Sequence, residues 1–174
     1  MKHVMIDLET LDTKQTAAFI SIGAVRFDPD TGTYDKKTFY SRIDWSSAMK
    51  GRTVSASTLK WWMSQPDAAR KEVLKDGDCL SNVLSSLSRW LGKDSIVWGN
   101  GSTFDISILE NAYNHNTPWK FWNVRDVRTV VDMAEGIVDR NSIEFTGTPH
   151  HALDDAIHQA KYVSAMWMAL RDKK

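Results

Sequence analysis

The hydrophobic and polar positions at the start of the chain predict three β-strands joined by tight turns. An apolar run from Val4 to Leu8 is typical of a buried strand, and two later segments have the alternation and β-branched content of further strands. Turn-forming residues separate the segments at Asp12-Thr13 and at 28–32. We therefore expect two successive hairpins, with strands near 2–9, 18–27 and 34–43.

The rest of the chain alternates between helical periodicity and two short apolar runs. Strands are expected near 95–98 and 119–123, and helices near 57–64, 66–75, 79–91, 104–115, 126–136 and 152–171. Three antiparallel strands followed by two strands with helices between them predict an α/β fold. Its core would be a mixed five-stranded sheet flanked by helices.

Length and composition predict one compact domain that spans residues 1–174. The only cysteine, Cys79, excludes an internal disulfide and a cysteine-built zinc site, and we expect it to be a small buried residue. No stretch approaches the roughly 18 apolar residues of a membrane span, and the N-terminus lacks a signal-peptide core. We therefore expect a cytoplasmic location and no membrane partner. The 22 basic and 22 acidic residues cancel, which argues against a DNA-coating protein.

Two carboxylates lie near the end of the first predicted strand. Asp7 and Glu9 are two residues apart, so their side chains point to the same face, about 6 to 7 Å apart along the strand. Two like charges in that position repel each other unless a cation lies between them. Hard oxygen ligands with no nearby cysteine favour Mg²⁺ or Mn²⁺, and two such ions are a common arrangement for phosphodiester hydrolysis.

Two further acidic positions follow breaks in the predicted elements. Asp105 comes after a glycine-rich break and begins a predicted helix, where a helix-start acid favoured by the helix dipole is the structural alternative. Asp126 precedes another helix, and we interpret it as a helix-start acid paired with a neighbouring arginine. Asp154 and Asp155 lie in the last helix. We expect Asp154 to face solvent, as a partner of His158 or Lys161.

The last acidic motif also contains two histidines. Five residues along a helix rotate by about 500°, so His150 and Asp155 can serve one site only if His150 precedes the helix. Pro149 favours that arrangement, and His150 on a loop could then act as a general base near neutral pH. His151 is the alternative base, because it is four residues before Asp155 and could share its helix face.

The three motifs together resemble the DEDDh branch of the DnaQ-like 3′-5′ exonucleases, within the RNase H-like superfamily. Asp7-Leu8-Glu9 matches the first motif, Asn100 to Asp105 is similar to the second, and His150 followed by Asp155 matches the third. The resemblance covers roughly residues 4–170. It is strongest to the short, single-domain exodeoxyribonuclease VIII-like enzymes of phages and prophages.

The resemblance implies a function and a set of site residues. Asp7, Glu9, Asp105 and Asp155 would hold two Mg²⁺ or Mn²⁺ ions, His150 would activate water, and Leu8, Thr10 and Phe104 would contact the terminal nucleotide. The implied partner is the 3′ end of a nucleic acid, with single-stranded DNA as the substrate and mononucleotides as the products. The alternatives are RNA trimming and a catalytically weak nucleic-acid-binding domain.

The sequence also contains eight tryptophans and one serine-rich segment whose places in the fold can be predicted. Most of the tryptophans are expected in the core. Trp119 and Trp122, beside Lys120, could pack in the core, stack on bases or form a subunit interface. This group is the sequence basis for expecting a homodimer. The segment 45–58 has the composition of a loop that could close on substrate.

Overall fold

A mixed six-stranded sheet forms the centre of the computed structural model, which describes residues 1–172. β1 pairs antiparallel with β2 and parallel with β5, and β5 pairs parallel with β6. The order is β3-β2-β1-β5-β6, and β4 also pairs with β2. The strands are β1 (His3–Thr10), β2 (Phe19–Asp28), β3 (Thr33–Tyr34), β4 (Phe39–Arg42), β5 (Ile96–Gly99) and β6 (Val124–Asp126).

Seven α-helices flank the sheet in the described part of the chain. They are α1 (Trp45–Met49), α2 (Ala56–Met63), α3 (Asp67–Val73), α4 (Leu80–Trp90), α5 (Asp105–Ala112), α6 (Val127–Met133) and α7 (Ala152–Asp172). The predicted α/β class, with its mixed sheet flanked by helices, is confirmed. Among residues 1–172, no helix is long and apolar enough to cross a membrane.

The predicted count of five strands is wrong because the segment 34–43 is interrupted. The side chain of Asp35 accepts a hydrogen bond from Lys37 N at 2.9 Å, a local turn that separates β3 from β4. The last strand also lies later than predicted. Trp119 is buried against Tyr113, and a 3₁₀ turn at Phe121–Asn123 precedes β6.

Two other local predictions are corrected by the structure. The segment 45–58 is not simply a loop, because Asp44 caps α1 by accepting a hydrogen bond from Ser47 N at 2.9 Å and α2 begins at Ala56. Cys79 is exposed rather than buried, because it lies at the N-terminal end of α4.

The alternation of β1 divides the core between the two faces of the sheet. Val4, Ile6 and Leu8 pack in the cluster that contains α4 and α5, whereas Met5 packs in the cluster that contains α6 and α7. Asp7 and Glu9 have the same parity as Met5, so both lie on the α7 face. The sheet therefore presents its acidic pair to the last helix.

A glycine on β2 lets the start of α7 lie directly on the sheet. Gly23 is paired with Asp7, and a Cβ atom added at Gly23 would come within 2.2 Å of Leu153 N and 2.3 Å of the Ala152 carbonyl carbon. Any larger residue would lift the helix away from the strand. This close contact places Asp155 beside the strand on which Asp7 and Glu9 lie.

Candidate active site

The acidic pair of β1 lies at the strand end nearest the start of α7. Glu9 is 7% exposed, and Asp7 is partly accessible at its surface. Asp7 Oδ1 accepts a hydrogen bond from Gln159 Nε2 at 2.8 Å, so α7 holds one oxygen of this carboxylate in place. The pair thus has a fixed position on one face of the sheet.

Asp105 joins the pair from the neighbouring parallel strand. It is the first residue of α5, is 3% exposed, and accepts a hydrogen bond from Leu8 N at 3.3 Å. A Cβ atom at Gly99, the last residue of β5, would lie 3.3 Å from Asp105 Cβ. The glycine therefore leaves room for the carboxylate beside the end of β5.

Asp155 and His150 complete the group from the third motif. His150 precedes α7, as predicted, and has a φ of 61°, a left-handed conformation that is uncommon outside glycine. One ligand atom from each of Glu9, His150 and Asp155 lies within 4.8 Å of the other two. Residues from two distant parts of the sequence, β1 and the start of α7, therefore meet at one point, with Asp7 and Asp105 adjoining them.

The carboxylates of this acidic cluster, defined as Asp7, Glu9, Asp105 and Asp155, all resist ionisation. Burial, followed by repulsion from the other acids, raises the pKa of Asp7 and of Glu9 well above the usual range. Burial also raises the pKa of Asp105 to about 7 and that of Asp155 to about 6. Within residues 1–172, no lysine or arginine forms an ion pair with any of the four.

This donor set fits divalent cations. Four oxygen-bearing acids without a positive partner suit a hard cation such as Mg²⁺ or Mn²⁺, and a bound ion would offset both the burial and the mutual repulsion. Burial raises the pKa of Asp105, and the charge of Arg128 lowers it but does not outweigh burial.

The two adjacent histidines have different surroundings. His150 contacts the rings of Trp61 and Trp62 at 4.9 and 6.2 Å, and burial lowers its pKa. His151 instead stacks on Tyr40 at 4.3 Å, with its Nε2 4.0 Å from Glu72 Oε1. The structure therefore places His150, rather than His151, beside the acidic cluster.

The remaining acids of the motifs have structural contacts. Asp154 accepts a hydrogen bond from Thr148 N at 2.9 Å and lies 3.5 Å from His151 Nδ1, so the predicted partners His158 and Lys161 are wrong. Asp126 caps α6 through Thr129 N and also accepts a hydrogen bond from Ser102 N. It is a helix-start acid, as predicted, although the expected ion pair with arginine does not form in the described structure.

A cleft of about 430 Å³ adjoins Glu9, and we call it the Trp61 cleft. The three residues expected to contact substrate, Leu8, Thr10 and Phe104, all line it. Trp61, 44% exposed, and Trp62 form another wall, and Trp62 Nε1 donates a hydrogen bond to Thr10 O at 2.9 Å. The cleft thus presents aromatic rings and backbone polar groups next to the acidic cluster.

Sequence reasoning missed three residues of this site. Gln159 lies four residues after Asp155, a helical spacing that could have indicated a shared face. Most of the tryptophans are expected in the core, which holds for Trp62 but not for Trp61, and the sequence carries no signal that separates the exposed ring from the buried one. The place of Trp62 depends on the packing of α2 against Leu11, Ala18 and Ile20.

The aromatic group near Lys120 is divided by the fold. Trp119 is 4% exposed and belongs to the core, so it cannot contribute to an interface or a stacking surface. Trp122 is 59% exposed beside Phe121, with Lys120 Nζ 5.9 Å from the Trp122 ring.

A mixed sheet whose strand ends bring buried carboxylates together beside a histidine is the arrangement expected of a 3′-5′ exonuclease domain. Residues 2–167 match the model of the 3′-5′ exoribonuclease Rv2179c-like domain, and the chain belongs to that family. It is also 27% identical over 207 aligned residues to the exodeoxyribonuclease of Enterobacteria phage T4, covering 98% of this chain and 90% of that protein.

Solved structures share the fold at low sequence identity. The nuclease domain of 3′hExo, a DEDDh family member bound to rAMP, is 18% identical with a TM-score of 0.59, covering 98% of this chain and 92% of that one. Pop2p of S. pombe, with Mg²⁺ and Mn²⁺ bound, is 13% identical with a TM-score of 0.59, covering 94% and 82%. E. coli exonuclease I with a dA16 oligonucleotide is 14% identical with a TM-score of 0.64 over 98% of this chain, which spans 42% of that protein.

Proposed function

We propose that the acidic cluster holds two divalent cations, Mg²⁺ or Mn²⁺, and that the protein removes mononucleotides from the 3′ end of single-stranded DNA. The observation that carries the proposal is the meeting of Asp7, Glu9, Asp105 and Asp155 without a positive partner in the described structure. The presence of Mg²⁺ and Mn²⁺ in Pop2p, which shares the fold, supports the choice of cation. When bound, the cations would supply Lewis acidity and a lowered pKa for water.

The side chains of the site accept the proton, orient a metal ligand and bind the terminal nucleotide. The imidazole of His150 accepts the proton of the attacking water, and because burial lowers its pKa, the neutral form needed for this role predominates near neutral pH. Gln159 orients Asp7 through its hydrogen bond. Leu8, Thr10 and Phe104, with Trp61, bind the terminal nucleotide in the Trp61 cleft, where an indole face suits a base.

The choice of DNA rests on the phage T4 relative, which is named an exodeoxyribonuclease and aligns along 98% of this chain. RNA is the second candidate substrate, because the matching family is described as exoribonuclease. Phosphodiester hydrolysis by this cluster is common to both, whereas recognition of the 2′-hydroxyl would differ.

The experiment uses 5′-labelled oligonucleotides of one sequence as single-stranded DNA, duplex DNA and RNA, each with Mg²⁺, Mn²⁺ or EDTA. We expect a ladder of products shortened from the 3′ end, fastest on single-stranded DNA and absent with EDTA. Faster shortening of RNA would assign the second substrate. Binding of all three without shortening would instead indicate a catalytically weak binding domain.

A further inference from the structure

A second cleft, of about 450 Å³, adjoins the acidic cluster, and we call it the Arg140 cleft. It shares no lining residue with the Trp61 cleft. Glu9 lines the Trp61 cleft, Asp155 lines the Arg140 cleft, and ligand atoms of these two acids lie within 4.8 Å of each other. A polymer with its terminal unit in the Trp61 cleft would therefore cross the acidic cluster and enter the Arg140 cleft.

The Arg140 cleft carries a positive charge with no acidic partner. Arg140 is exposed and takes part in no ion pair within residues 1–172. Burial and then the charge of Lys161 lower the pKa of His158, and Arg140 adds to this effect. Burial raises the pKa of Tyr162, and Arg140 partly opposes that rise, which places the guanidinium near these two lining residues. A free guanidinium of this kind suits a phosphate.

Neutral groups suitable for a nucleotide surround this charge. The ring of His158 contacts those of Phe145 and Tyr162 at 5.0 and 5.3 Å. His158 Nδ1 is buried without a hydrogen-bond partner in the described structure, and Asn141 also lines the cleft. Aromatic edges and hydrogen-bonding groups together match the base and sugar of one nucleotide.

A neighbouring cleft does not offer the same chemistry. It has a volume of about 560 Å³ and shares Arg140 and Asn141 with the Arg140 cleft, but it is also lined by Asp132, Glu135 and Asp139, three carboxylates that would repel a phosphate. None of the acidic-cluster residues lines it. In the Arg140 cleft, the only acids are Asp155 and Glu144.

We propose that the Arg140 cleft binds the nucleotide on the 5′ side of the bond that is cleaved, with Arg140 at a phosphate of that part of the strand. The assignment rests on the proposed function, because it takes the acidic cluster as the place of hydrolysis. After each cut, this nucleotide becomes the new 3′ end. A chain with no net charge thus places a free arginine where the remaining strand leaves the cluster.

A comparison of two substrates distinguishes binding of the remaining strand by Arg140 from a general effect of Arg140 on catalysis. The p-nitrophenyl ester of thymidine 5′-monophosphate keeps the terminal nucleotide but replaces the rest of the strand with p-nitrophenol, whereas an oligothymidylate of eight units retains it. Arg140→Ala should raise KM for the oligonucleotide about tenfold, as expected for loss of a charged phosphate contact. KM and kcat for the ester should change less than about twofold, because the ester keeps only the phosphate that is hydrolysed and lacks the phosphates of the strand on its 5′ side.

Matched variants and salt dependence sharpen the result. Arg89→Ala removes the same charge from α4, away from both clefts, and should leave both substrates unaffected. Arg140→Lys should restore part of the affinity, and Glu144→Gln should lower KM for the oligonucleotide. The slope of log affinity against log salt, measured by fluorescence anisotropy with Ca²⁺ in place of Mg²⁺, should become shallower by about 0.7 in Arg140→Ala, the value for one contact to a single strand.

Three outcomes would overturn the assignment while leaving the proposed function intact. They are an unchanged KM for the oligonucleotide, an equal loss on the ester, and an equal effect of Arg89→Ala. Failure of the proposed function itself gives a different result, because the wild-type protein would then hydrolyse neither substrate.

Discussion

The carboxylates of the site lie on regular secondary structure, whereas its histidine lies on a loop. Asp7, Glu9 and Asp105 lie on a strand and at a helix start, where backbone pairing and the close contact at Gly23 fix them. His150 lies in a loop with a φ of 61°, against the partly exposed ring of Trp61. Like charges at close range need a rigid scaffold, since relaxation would let them separate, whereas a proton acceptor can adjust its position.

The two regions also differ in their effect on stability. Buried acids that repel each other destabilise the metal-free fold, and a bound cation offsets that cost. His150 is only partly buried and carries no such penalty at neutral pH. Substitutions on the carboxylate side should therefore remove activity and spare stability, and substitutions on the histidine side should reduce activity by a smaller factor.

The largest effect is expected at the carboxylates. Asp7→Asn or Asp155→Asn should lower the rate of 3′-end shortening by more than about 10⁴-fold, because each removes a charged metal ligand. The free energy of unfolding without metal should stay equal or rise, since repulsion is relieved. Chemical denaturation in EDTA beside a rate assay measures both, and near-normal activity of Asp7→Asn would exclude its role as a ligand.

The adjacent histidines provide the matched test of the loop. His150→Ala should lower kcat by about 10² to 10⁴, as expected for a lost general base, with Mn²⁺ affinity nearly unchanged. His151→Ala should lower kcat less than about threefold, because His151 stacks on Tyr40 instead. If His151→Ala lowers kcat more than His150→Ala does, the base is His151.

The dependence of stability on pH tests the burial of the acids. Because the pKa of Asp105 is raised to about 7 in the folded state, from a usual value of 3.8, the folded state binds its proton more tightly than the unfolded state does. Its contribution is therefore fully present below about pH 4 and is lost as the pH rises through about 7. In EDTA, wild type should lose more than about 1 kcal/mol relative to Asp105→Asn between pH 5 and pH 8. If the plots of unfolding free energy against pH were parallel for wild type and Asp105→Asn, the pKa of Asp105 would not be raised by burial.

A smaller effect is expected from the residue that orients Asp7. Gln159→Leu should raise the Mg²⁺ concentration for half-maximal activity about tenfold, because it removes one hydrogen bond to a charged group. Calorimetric Mn²⁺ affinity should fall by a similar factor. Gln15→Leu, at an exposed position, controls for the change of side chain, and an unaltered Mn²⁺ affinity in Gln159→Leu would limit Gln159 to packing.

The smallest effect concerns assembly. We propose a homodimer that uses Phe121 and Trp122, the exposed part of the aromatic group, although Trp119 is excluded by burial. Light scattering at micromolar concentrations should give about twice the 19.8 kDa of one chain, and Trp122→Ser should lower that mass without changing the rate on short oligonucleotides. A constant monomer mass for wild type would remove the proposal.

Sequence patterns predicted the elements whose signals are local and periodic. β1 and α7 lie where the apolar run and the helical spacing indicated. The break between β3 and β4 was missed because it depends on one side-chain turn at Asp35, and the position of β6 because burial of Trp119 sets it. Trp61 and Arg140 gained their places only through tertiary packing, which no single motif encodes, whereas the spacing of Gln159 from Asp155 is a local signal of a shared helix face.

Calorimetric titration of Mn²⁺ into metal-free protein tests the acidic cluster most directly. We expect two ions per chain for wild type and for His150→Ala, and one ion or none for Asp7→Asn and Asp155→Asn. The result that would contradict the two-cation centre is a wild-type stoichiometry of one or zero, or two ions still bound by Asp7→Asn with unchanged affinity.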